Sequence, residues 1–96
     1  MAVTSIGKLL VCDATGAVLT TPAKIVGIYW YGVTGNEIAD NDICDISETV
    51  GVKTYFYRMA TAATPSIDWW TGGDGLWVDG IYINTLGHGK VAIELA

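Results

Sequence analysis

The segment from Gly75 to Leu95 constrains this chain most, because it runs through two apolar/polar alternations with glycines between them. Ile81, Ile83 and Thr85 alternate with Tyr82, Asn84 and Leu86; Val91, Ile93 and Leu95 alternate with Lys90, Ala92 and Glu94. A strand sends successive side chains to opposite faces, so this spacing predicts two strands that bury Ile81/Ile83 and Val91/Ile93/Leu95. Gly87-His88-Gly89 between them supplies the positive-φ positions of a tight antiparallel hairpin, which is the predicted connection. β-branched residues dominate elsewhere, Gln is absent, there are only three Glu, and twelve glycines punctuate the chain. The expected class is all-β: one antiparallel β-sandwich, jelly-roll-like, spanning residues 1–96 as a single domain with the closing hairpin central to its core.

Further strands are expected over residues 5–12, 24–31, 42–46 and 53–59, and over 76–78 continuing to 86 after a kink. A short strand near 18–20 is expected to pair with the first across Asp13-Ala14-Thr15-Gly16. Residues 32–40 read as an exposed loop and 60–65 as an irregular stretch ending at a proline.

Composition narrows the function classes. The chain is 51% hydrophobic and 16% charged, yet a domain of this size buries only roughly 60–65% of its unfolded surface. Apolar area must therefore remain outside one core, and contiguous exposed apolar area marks an interface, so a homo-oligomer or lattice component is expected. A net charge of −5 with Lys8, Lys24, Lys53, Arg58 and Lys90 scattered singly argues against nucleic acid and against an anionic membrane as partner. No run approaches the ~18 apolar residues of a membrane helix. Leu9-Leu10-Val11-Cys12 is too short for a signal peptide's apolar segment, so the chain is expected to stay in a cytoplasm after synthesis.

No residue set reads as catalytic. His88, the one histidine, lies between two glycines, where neither a pocket nor a positioned partner is expected. Gly72-Gly73-Asp74-Gly75 lacks the Lys-Ser/Thr of a phosphate loop and reads as a turn. Asn36, Glu37, Asp40, Asp42 and Asp45 gather oxygens without calcium-loop spacing and read as solvated acids, so neither metal nor cofactor is expected. Cys12 and Cys44 have no metal-site neighbours and read as buried thiols; a disulfide between them stays open on count alone.

The aromatics carry the functional expectation. Tyr29-Trp30-Tyr31 and Tyr55-Phe56-Tyr57 place rings on both faces of their strands, and one face of each is left to be covered or exposed. Trp30, Trp69, Trp70 and Trp77 are the expected interface residues. A carbohydrate-binding module using Trp69, Trp70 and Trp77 is the alternative, disfavoured by the lack of Gln beside the rings.

From Pro22 onward the order of features resembles small all-β virion proteins of tailed bacteriophages. The residues concerned are Pro22-Ala23-Lys24-Ile25-Val26-Gly27-Ile28, the Gly/Asn loop, the strands at Ile43 to Asp45 and Gly51 to Tyr57, and the closing Asp79-Gly80-Ile81-Tyr82-Ile83 with Gly89-Lys90-Val91-Ala92-Ile93-Glu94-Leu95. The Trp69-Trp70 stretch before Gly75 departs from that pattern. The resemblance implies a capsid decoration (cement) protein, with a phage tail or fibre component as its nearest variant. It implies the major capsid protein lattice as partner, a trimer, a place on the capsid surface of the virion, and no catalytic residues.

Overall fold

The computed structural model describes residues 3–61, 66–71 and 75–96. Two antiparallel sheets pack face to face as an all-β sandwich, and no described residue is helical. The strands are β1 (Val3–Ile6), β2 (Leu9–Cys12), β3 (Gly16–Leu19), β4 (Ala23–Tyr31), β5 (Ile43–Thr49), β6 (Val52–Met59), β7 (Ser66–Trp70), β8 (Leu76–Val78), β9 (Ile81–Leu86) and β10 (Lys90–Leu95). The first sheet runs β1-β2-β10-β4-β7, with β8 also pairing β4; the second runs β3-β9-β5-β6.

Alternation fills the space between the sheets. Across the first sheet, in register, one inward row is Cys12, Val91, Trp30 and Ile67, and the next is Leu10, Ile93, Ile28 and Trp69, while Val3 and Ser5 continue these rows on β1, which is exposed throughout. Ile46, Phe56, Ile81 and Ile83 answer from the second sheet, and all four are buried. Each such side chain contributes roughly 1.5–3 kcal/mol through the apolar area removed from water.

The predicted faces of the closing strands hold, but their pairing does not. β9 pairs with β3 and β5, whereas β10 pairs with β2 and β4, so Gly87-His88-Gly89 is an arch between sheets and not a hairpin turn. Alternation specifies which side of a strand is buried and is silent on its neighbour. Residues 5–12 are likewise two strands joined at Gly7-Lys8, with Gly7 at φ 59. β3 pairs with β9 and not with the first strand. The stretch from 76 to 86 divides between the sheets at Asp79-Gly80, and Ser66–Trp70 forms a strand that alternation had not singled out. The turn predicted at Gly72-Gly73-Asp74 and most of the 60–65 stretch lie outside the described residues.

One irregularity resets a face. Asp45 pairs with Thr85 but Ile46 pairs with Ile83, so Asn84 is an extra residue in β9. The bulge turns Leu86 against the core and leaves Thr85 exposed, the reverse of simple alternation. Asn84 uses its position: its Nδ2 donates to Ser47 Oγ at 2.6 Å and its Oδ1 accepts the Gly51 N–H at 2.9 Å, tying down the β5–β6 turn.

Candidate functional site

The arch brings the chain's one histidine to a partner. His88 Nδ1 lies 2.7 Å from Asp42 Oδ2, which also accepts the Ala39 N–H at 2.7 Å. The Ala39 amide first, then His88, holds the Asp42 carboxyl below the ordinary carboxylate range. This corrects the expectation that a two-glycine turn leaves His88 without a partner. Trp30 Nε1 donates to the His88 carbonyl at 2.7 Å, Asn36 Nδ2 to the Gly89 carbonyl at 3.4 Å, and the Gly87 N–H to the Ile43 carbonyl at 3.0 Å. Gly89 sits at φ +80 with the Tyr31 carbonyl oxygen where a Cβ would go, and a Cβ on Gly87 would meet Asp42 Oδ1 at 2.7 Å. The cluster locks the crossover between sheets.

The four tryptophans separate. Trp30 is fully buried in the core, its indole N–H satisfied by the arch, so it has no surface to offer an interface. Trp69 faces inward, half-buried, tilted against Phe56 with centroids 6.1 Å apart. Trp70 and Trp77, at 62% and 70% exposure, stand on the outer face of the first sheet.

Register builds that outer face. Ile6, Leu9, Glu94, Gly27 and Trp70 are successive partners across β1, β2, β10, β4 and β7, a row of roughly 19 Å at ~4.8 Å per strand. Gly27 leaves a gap in it, and Tyr29 fills the gap by leaning back along β4. A Cβ on Gly27 would stand 2.8 Å from the Tyr29 hydroxyl and 3.4 Å from Trp70 Cε3. Tyr29 donates to Glu94 Oε1 at 2.7 Å and meets Trp70 edge-on, with centroids 5.4 Å apart and planes at 78°. Burial first, then the bond to Glu94 and its charge, push the Tyr29 hydroxyl up to about 12, so it remains a donor. Beyond Tyr29 the row opens into a depression of about 480 Å³ lined by Ile6, Lys8, Leu9, Tyr29 and Glu94. On the other flank Lys24 pairs with Trp77 and its Nζ lies 5.5 Å from that ring's centroid.

A second apolar surface lies on the second sheet. β3 and β6 are its end strands, and Val50, Val52, Tyr57 and Met59 along the β5–β6 hairpin are all exposed. Cys12 and Cys44 are free and buried. Burial first, then Asp13 for one and Asp45 for the other, pushes their thiols up to about 11 and about 12. Among the described residues no three His, Cys, Asp or Glu side chains converge as a metal site. Asp40 lies in a turn before β5 and shares no strand face with Asp42.

Compared with known proteins, the chain matches no family model, no curated protein and no solved structure. The sequence singled out Trp70 and Trp77 but missed Tyr29 with Glu94, Lys24 with Trp77, and the Gly27 gap. Those pairings depend on which strands are neighbours, and the sequence carried no signal for that.

Proposed function

We propose that this chain is a non-catalytic structural protein of a virion, a capsid decoration protein that binds the outer capsid lattice as a homo-oligomer, with a trimer favoured. The observation that carries the reading is the β6 edge: a strand of eight residues that pairs with β5 on one side and with no described strand on the other, and that exposes Val52, Tyr57 and Met59, beside Val50 in the preceding turn. Lys53 and Arg58 interrupt that edge and discourage indiscriminate strand addition, but the exposed Val52, Tyr57 and Met59 remain apolar area for which a neighbouring protomer or capsid subunit is a natural cover. Lattice symmetry would then multiply a modest affinity per copy into cohesion of the shell.

Strand order supports the jelly-roll part of this reading. β2-β10-β4-β7 opposite β3-β9-β5-β6 is the order of two interlocked Greek keys, an architecture found in viral capsid domains among others. Fold alone assigns no function, so the weight stays on the edge. Light scattering, with mass spectrometry of purified particles, tests the proposal. Tyr57→Glu with Met59→Glu should leave the circular dichroism intact and abolish oligomers and particle attachment. A wild-type chain that is monomeric at high micromolar concentration and fails to bind particles overturns it.

A further inference from the structure

Trp70 and Trp77 are exposed but held. Trp70 is braced edge-on by Tyr29, and Trp77 has the Lys24 ammonium over its ring. Both lie on the same flank of β4, opposite Gly27 and Lys24 respectively. Val26 between those positions is an extra residue in β4, since Glu94 pairs with Gly27 and Leu95 with Ile25, so they stand about two residues of strand apart, roughly 7 Å at ~3.3 Å per residue. That is within reach of neighbouring units of one extended sugar chain. Acid, ammonium and phenol are interleaved with the rings: Glu94 and Tyr29 on one side of Trp70, Lys24 beside Trp77, Lys8 at the edge of the depression.

This mixture discriminates between occupants. The core of a protein–protein contact is depleted of charge, and here charged groups stand within the aromatic strip. A ligand that alternates apolar faces with hydroxyls matches it, since small-molecule sites combine apolar walls with a few placed polar groups. The geometry points to a polysaccharide-binding platform: an extended, uncharged pyranose chain with equatorial linkages stacks on Trp70 and Trp77. Its hydroxyls reach Lys24 and the Glu94–Tyr29 pair. The platform is built from the outer face of the first sheet and the β6 edge from the second, so none of its residues is one on which the assembly proposed above rests.

The test is titration of the full chain with cellohexaose, xylohexaose and chitohexaose, and with glucose, xylose and N-acetylglucosamine, followed by tryptophan fluorescence and calorimetry. At least one hexasaccharide should bind at millimolar concentration or below, with its single unit far weaker. Trp70→Ala and Trp77→Ala should each weaken it by about tenfold or more, in line with the loss of one stacking ring, while dichroism and oligomeric state stay unchanged. Glu94→Gln, which keeps an acceptor for Tyr29, should weaken binding with the same fold intact. Absence of binding by all three hexasaccharides, or binding indifferent to Trp70→Ala and Trp77→Ala, overturns the inference. Loss of oligomers or particle attachment in those two variants, without sugar binding by wild type, assigns the face to a protein partner and overturns it equally.

Discussion

Gly89→Ala, set against Gly51→Ala, measures how tightly the arch is locked. Both glycines have left-handed backbones, at φ 80 and φ 68. A methyl group on a left-handed residue costs about 1–2 kcal/mol, partly offset by about 0.4–1 kcal/mol from a stiffer unfolded chain. At Gly51 nothing lies within 4 Å of the new Cβ, so Gly51→Ala should cost about 1 kcal/mol or less. At Gly89 the new methyl meets the Tyr31 carbonyl oxygen, which is backbone and is fixed by the pairing of Lys90 with Tyr31. The two backbones must separate, adding overpacking of about 1–3 kcal/mol. The same shift stretches the Trp30 bond to His88, worth about 1 kcal/mol. Gly89→Ala should therefore cost about 3–5 kcal/mol. For a domain of this size about 1 kcal/mol moves Tm by ~4–8 °C, so calorimetry should find Gly51→Ala within several degrees of wild type. Gly89→Ala should melt at least about 12 °C lower. Equal melting temperatures would refute the arch geometry, since a hairpin turn would leave position 89 as open as position 51.

Two further outcomes are expected. Ile93→Asp places a carboxylate in a fully buried inward row beside Leu10 and Ile28. With several kcal/mol lost from ~5–10 in total, it should abolish cooperative unfolding in a thermal scan, and a soluble, cooperatively melting variant would reverse the assigned faces. Asp42 is depressed in the fold, so its contribution is complete above the unfolded carboxylate value of about 3.9 and disappears as pH falls through the lower folded value. Urea midpoints of wild type and Asp42→Asn should therefore differ at neutral pH and converge in acid, and a gap unchanged down to about pH 2 would refute the pairing.

The fold class was legible because burial imposes a period of two wherever a sheet has one covered face. Ile81, Ile83, Val91 and Ile93 are inward for the reason the sequence offered. Pairing was not legible. A glycine–x–glycine turn between alternating strands serves a hairpin within one sheet or an arch between two, and local residues do not choose between them. The choice is made by β2, β3, β4 and β5, far away in sequence, which compete for the edges of β9 and β10. The bulge at Asn84 was hidden for a similar reason: its side chain finds Ser47 and Gly51 only once β5 is alongside.

The same limit explains the tryptophans. Trp69 and Trp70 are adjacent, and a strand must send one inward to Phe56 and the other outward to Tyr29. Sequence alone ranked them together, and only the register of β7 on β4 separates them. That register also divides the apolar surface. Trp70 and Trp77 lie on the outer face of the first sheet, while Val52, Tyr57 and Met59 lie along the β6 edge of the second, whose Phe56 meets Trp69 of β7. The two surfaces are built by different residues on different sheets. If the two proposals hold, Tyr57→Glu with Met59→Glu should abolish attachment and spare sugar binding, and Trp70→Ala should do the reverse; loss of both functions in either variant would show that the two surfaces are one.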